Sequence, residues 1–218
     1  MIEAQHQKWA DMFFRPYIFH LLRKSFHHFW LLNQSPTLAR DRSLFLLPNH
    51  FTWWDGFFLY YLNQKLWRKK LHIMMLQEQL ENFWFFRYLG AFSIKLGDRS
   101  EVQRSLSYAA QLLQSPNNMV IIYPQGELEP YDQKPLSFHT AGISQILRQS
   151  SPQILPVAMR IQYGSEKKPD VFCRFPPLIT ATSLPEQKRQ IHQSFFSNLA
   201  ELTQQSWQGQ GQKDLFVS

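Results

Sequence analysis

In the stretch PNHFTWWDGFF, residues 48–58, His50 and Asp55 stand five positions apart among aromatic side chains. Histidine is the side chain best suited to take a proton from a hydroxyl near neutral pH. A carboxylate against the same ring can fix its tautomer and stabilise the imidazolium that forms. On one continuous helix, five residues correspond to about 500°, so the two side chains would diverge. If His50 lies in a strand-to-helix turn and Asp55 in the first helical turn, they can meet. Pro48 and Asn49 favour such a turn, and an acidic residue suits a helix N-terminus. The spacing alone also allows a plainer role, with Asp55 capping a helix and His50 structural.

Other catalytic signatures are missing. The chain has no GxxxxGK[ST] phosphate loop and no GxGxxG, and AGISQ lacks the second glycine of a nucleophile elbow. His20, His27 and His28 have no carboxylate or thiol suitably spaced in the sequence near them, so no metal site is expected. The single Cys173 excludes an internal disulfide and a multi-cysteine metal site, and it fits a reducing compartment.

The elements that must position His50 and Asp55 follow from apolar patterning. Short strands are expected at 43–48, 71–76, 91–95, 118–124, 154–160 and 171–176. Helical patterns fall near 54–66, 78–89, 101–115, 139–150 and 184–207. The alternation predicts an α/β fold: one domain with a mostly parallel or mixed sheet flanked by helices. Sites in such folds gather at the carboxyl ends of strands. His50 follows one strand there, and PQGELEP (124–130) follows another. The expected division is an N-terminal amphipathic helical segment at 1–35, the main domain at 36–208, and a flexible tail at 209–218.

The 218 residues carry a formal charge of +7 and 16% aromatic side chains, which suggests an anionic partner. In residues 8–32, Trp9, Phe13, Tyr17, Leu21 and Leu22 recur at helical spacing, with Arg15, His20, Arg23, Lys24, His27 and His28 between them. That mixture suits a helix lying in the headgroup region of an anionic membrane; an ordinary helix packing on its own domain has the same pattern. Pro16 is expected to split this region or to start a second helix. The apolar run 43–64 is long enough to tempt a hydropathy window, yet Pro48, Asn49, His50 and Asp55 lie inside it, so no span is expected. No secretory signal series is visible, and no nucleic-acid recognition motif accompanies the charge.

Four blocks in order carry a resemblance. NHFTWWD resembles the Asn-His-x-Ser-x-x-Asp motif of the glycerolipid acyltransferase family, with Thr52 at the serine position. GAFSIKLGDR (90–99) is similar to that family's Gly-x-Phe-x-Ile-x-Arg block, IYPQGELEP (122–130) to its Phe-Pro-Glu-Gly-Thr block, and ILPVAMR (154–160) to its Val-Pro-Val strand. The resemblance implies acyl transfer from a thioester, acyl-CoA or acyl carrier protein, to a lipid hydroxyl, with His50 as general base and Asp55 as its orienting partner. No resident cofactor and no metal are implied.

Asn49, Thr52, Pro124, Gln125, Gly126 and Glu127 would line the substrate, and Arg99 would bind an acceptor phosphate. Strict spacing puts the second block's arginine at Leu96, so Arg99 matches only across an insertion, and Lys95 is a rival. Gln125, Glu127 and Leu128 replace the usual Glu, Thr and Arg of the third block. The resemblance implies a peripheral membrane protein on the cytoplasmic side, acting on a lysolipid acceptor at an anionic surface, and no nucleic-acid partner. A non-catalytic lipid-binding protein on a degenerate scaffold is the competing expectation.

Overall fold

The computed structural model describes residues 1–131 and 135–217. In chain order, α1 (Lys8–Ser25) leads to β1 (Phe29–Leu31) and β2 (Leu44–Pro48), and α2 (Asp55–Leu62) turns back along the sheet. There follow β3 (Lys70–Leu76), α3 (Gln77–Asn82), a 3₁₀ turn at Trp84–Leu89, β4 (Ala91–Ile94), α4 (Arg99–Leu112) and β5 (Asn118–Ile121). The chain ends with α5 (Thr140–Leu147), β6 (Gln153–Gln162), β7 (Asp170–Arg174), α6 (Leu184–Ser206) and β8 (Lys213–Asp214). The strands form one eight-stranded sheet in the order β4-β3-β5-β2-β6-β7-β1-β8.

β2 lies at the centre because every one of its residues is apolar and buried. A continuous apolar run is what a parallel strand covered on both faces needs. β5 and β6 flank β2 in parallel, with Pro48 opposite Val157. Alternation along β2 splits the core: Leu44 and Leu46 pack with α1 and α2, whereas Phe45 and Leu47 pack toward α4 and α5. β7 runs antiparallel to β6, and β1 runs parallel to β7. The sheet is therefore mixed, and the starts of β1 and β7 lie at the same end as the carboxyl end of β2.

Several expectations need revision. The N-terminal helix is unbroken from Lys8 to Ser25 with Pro16 inside it. Pro16 is exposed, and Ala10, Ile18 and Leu22 anchor the helix in the core on either side. That packing outweighs the lost hydrogen bond at Pro16. The helical pattern at 78–89 breaks at Phe83 into α3 and the 3₁₀ turn. Residues 29–31, expected in a helical segment, form β1 inside the main sheet. The expected flexible tail is tied down too. Lys213 and Asp214 pair with β1, the Leu215 N–H donates to the Phe29 carbonyl, and Tyr61 Oη donates to the Leu215 carbonyl at 2.7 Å.

The run 43–64 resolves into strand, turn and helix, and no helix among the described residues is long and apolar enough to cross a membrane. Because Leu215 is buried at 1% exposure, Leu215→Ala should lower stability by about 2–5 kcal/mol. Urea denaturation checks this; an unchanged midpoint would mark the end of the chain as detached in solution.

Candidate active site

The sheet delivers His50 through an extended ladder. Past Pro48, the Asn49 N–H donates to the Val157 carbonyl at 3.3 Å. The Asn49 side chain then imitates one more strand residue: its amide donates to the Met159 carbonyl at 2.9 Å and accepts from the Met159 N–H at 2.8 Å. Asn49, expected against substrate, is buried and spends its amide on β6. From there the backbone leaves the sheet. Gln125 grips it from the neighbouring strand end, its oxygen accepting from the His50 N–H at 2.6 Å and its nitrogen donating to the His50 carbonyl at 3.2 Å.

The side chains of the motif meet as the turn requires. His50 Nδ1 is 2.8 Å from Asp55 Oδ2. That same oxygen accepts the N–H groups of Phe51 at 2.9 Å and Thr52 at 3.1 Å. Asp55 is wholly buried, and its Oδ1 has no hydrogen-bond partner among the described residues. Thr52 shapes the turn as well: its carbonyl accepts the Asp55 N–H at 3.3 Å, and its hydroxyl accepts from the Trp54 N–H at 3.5 Å. The His50 ring stacks on Tyr123 at 4.0 Å between centroids and keeps about 25% of its side chain exposed. With Nδ1 facing Asp55, the other ring nitrogen points away from the carboxylate.

Burial pushes the Asp55 carboxyl above its ordinary range, while the His50 contact and the two N–H donors pull the other way. Burial and the Asp55 charge also push the Tyr123 phenol well up, so it stays neutral beside the imidazole.

The third block supports the turn more than it lines open space. Pro124 is buried, and its carbonyl accepts the His139 N–H at 2.7 Å. Gly126 adopts φ +80°, a region that glycine reaches without strain, and a Cβ there would come within 3.2 Å of the His139 ring. Its N–H closes the turn onto the Tyr123 carbonyl at 3.1 Å, so that donor is already used. Glu127 and Leu128 are exposed. Glu129 is buried and paired: it accepts from Gln125 Nε2 at 2.9 Å and from the Ser137 N–H at 3.0 Å. Burial works against its charge, yet the Ser137 and Gln125 hydrogen bonds and nearby His139 hold the carboxyl below its usual range.

Arg99 is not brought to His50. It opens α4 as an exposed residue beyond β4, behind the Asp98 cap. β4 is three strands from β2, about 14 Å across the sheet. Lys95 and Leu96 lie exposed on the same edge. A nearer cation is Arg160, one residue past the Met159 that holds Asn49. Its guanidinium lies 4.9 Å from the Tyr131 ring centre, and Tyr131 touches the Phe51 ring at 5.8 Å. Arg160 Nη1 is buried without a hydrogen-bond partner among the described residues. A cation inside an otherwise apolar strand block was the sequence signal for it.

A cavity of 740 Å³ with Arg15, Arg68, Lys69 and Lys70 in its wall opens at the amino end of β3 and does not include His50. His27 and His28, without carboxylates nearby in the sequence, stand beside Asp170 and Asp214 in the fold.

The site is thus a carboxylate-backed imidazole at the carboxyl end of a central strand, an arrangement suited to general acid–base chemistry. A family model described as Acyltransferase matches residues 31–160, more than half of the chain. The chain belongs to that family, the glycerolipid-type acyltransferases. No curated protein matches it.

Two outcomes test this site. A carboxyl raised in the fold contributes its stability below its ordinary pKa and loses it as pH rises through the folded value. Asp55→Asn should therefore be at least as stable as wild type at neutral pH, with acyl transfer lost and the stability gap closing toward acid, as thermal melts across pH and product assays would read. Gln125→Glu, which restores the family's usual residue, removes the donor to the His50 carbonyl and sets two carboxylates against each other. It should cost about 1–3 kcal/mol at neutral pH, and Gln125→Glu with Glu129→Gln should recover the part due to the paired carboxylates in denaturant unfolding, leaving the part due to the lost donor to His50.

Proposed function

We propose that the protein moves a fatty acyl group from acyl-CoA or acyl carrier protein to a hydroxyl of a lysophospholipid or related hydroxylated lipid, with His50 as general base. The observation that carries this reading is the 2.8 Å contact of His50 with a buried Asp55, in a chain of this family. The acceptor hydroxyl attacks the thioester carbonyl as His50 takes its proton. The tetrahedral intermediate then collapses, the C–S bond breaks, and the leaving thiolate takes the proton from the imidazolium. Asp55 favours the imidazolium between those steps. No acyl-enzyme intermediate is required. Arg160 is the better placed candidate for an acceptor phosphate, and Arg99 keeps that role only if substrate reaches the sheet edge. The competing reading, a lipid-binding protein without catalysis, draws on the altered third block.

Incubation with labelled acyl-CoA or acyl carrier protein and a mixed lipid extract separates these readings. His50→Ala should lower product formation by about 10²–10⁴-fold, and Arg160→Ala should raise the KM of a phosphorylated acceptor more than that of the donor. Wild-type turnover in His50→Ala, or no product with either donor, would remove the proposal.

The membrane side of the proposal rests on exposed aromatics. Trp9, Met12, Phe13 and Tyr17 of α1 are about half exposed or more, as are Trp84 and Trp53. Ring contacts run in two chains: Trp9 and Trp84 both meet Tyr88, and Tyr17 leads through Phe14, Phe85, Phe86 and Phe57 to Trp53, which lies inside the His50–Asp55 turn. We place the docking surface on this band, wider than segment 8–32, with the protein peripheral to an anionic, cytoplasmic-side leaflet. Removing residues 1–32 would strip Ile18, Leu22 and Phe29 from the core, so surface changes are the cleaner probe. Trp9→Ser, Phe13→Ser and Trp84→Ser together should abolish the salt-resistant part of binding to anionic vesicles in co-sedimentation. High salt should weaken wild-type binding without eliminating it. Equal binding by the triple variant would place docking elsewhere.

A further inference from the structure

We propose that His27, His28 and Asp170 bind one divalent transition-metal ion, zinc by preference, where α1 joins the sheet, with Asp214 positioning His28. Ligand atoms from His27, His28 and Asp170 all lie within 4.8 Å of one another. His27 Nδ1 is 3.7 Å from Asp170 Oδ1, and the two imidazole rings are 4.0 Å apart between centroids. Two neutral imidazoles and one carboxylate form a donor set suited to zinc, with a further position left for water. Zinc bonds of about 2.0–2.2 Å put tetrahedral ligands about 3.4 Å apart. The cluster is slightly open by that measure, and His27, with 41% of its side chain exposed, has room to close it by rotation.

The carboxylates are already oriented by backbone donors. Asp170 Oδ1 accepts the His28 N–H at 3.0 Å. Asp214 Oδ1 accepts the N–H groups of Phe29 at 3.1 Å and Phe216 at 3.0 Å. Its Oδ2 lies 2.6 Å from His28 Nδ1. That contact holds the His28 ring through one nitrogen and leaves the other with its lone pair, the arrangement that commonly orients histidine ligands.

The ion would tie together three segments distant in sequence: the α1–β1 link, the start of β7 and, through Asp214, β8. Phe26, just before His27, packs on Trp54 at 5.2 Å and on Phe58 at 5.1 Å between ring centroids. The ion would thus hold the end of α1 against α2, behind the His50–Asp55 turn.

The test uses the full chain, stripped with a chelator and titrated with Zn²⁺ alone against a chromophoric competitor. One equivalent should bind, and the thermal midpoint should rise by roughly 5 °C at a hundredfold excess over Kd. His27→Gln and Asp170→Asn should each weaken binding by a hundredfold or more. Asp214→Asn should keep the stoichiometry at about 10–100-fold lower affinity. His50→Gln should bind zinc as wild type does, which separates this cluster from the His50–Asp55 pair. Absence of a bound equivalent in wild type, or undiminished binding by both His27→Gln and Asp170→Asn, would overturn the proposal.

Discussion

One buried carboxylate oxygen organises this molecule. Asp55 Oδ2 receives two backbone N–H groups and faces the His50 imidazole while its residue is wholly removed from water. A carboxylate so buried is costly unless donors converge on it. The convergence needs a tight turn between β2 and α2, and that turn needs a strand end that does not move. The central place of β2, the Asn49 extension of the ladder and the grip of Gln125 on both backbone groups of His50 all serve that requirement.

The departures in the third block become intelligible in the same terms. A carboxylate at position 125 would face the buried Glu129 and could not donate to the His50 carbonyl. Gln125 supplies that hydrogen and donates a second to Glu129, so Gln125 and Glu129 form a matched pair. Glu129 does not stand as a free charge, although Glu127 remains exposed nearby. The support beneath the turn is thus built from Gln125 and Glu129, and the His50–Asp55 contact stands on it.

The surface outside the turn follows a second constraint. α1 must satisfy the core through Ala10, Ile18 and Leu22 on one face. Its other face carries aromatics that the domain leaves uncovered, and Tyr17 among them is linked through Phe14 and the 3₁₀ turn to Trp53. The expectation of a helix packing on its own domain holds for one face of Lys8–Ser25, while the other face leaves its aromatics exposed.

What the chain shows without its fold is whatever rests on local period and local chemistry. The apolar runs of β2 through β7 and the helical spacing of α2, α4, α5 and α6 repeat within a few residues, so patterning reveals them. His50 and Asp55 are five residues apart, and turn geometry alone suffices to bring them together. Elements too short to show a period stayed hidden: β1 and β8 exist because each finds a partner far along the chain, Phe29 beside Val171 and Trp30 beside Asp214. The functions of Asn49, Gln125 and Glu129 were equally illegible, since a polar side chain that mimics backbone looks the same in sequence as one that meets substrate. The carboxylates beside His27 and His28 come from positions 170 and 214, and only the packing of β7 and β8 against β1 sets them there. Arg99 is a further case of position set by the fold: strand order puts it at the sheet edge, because adjacency in a parallel sheet is decided by crossover packing and not by sequence distance.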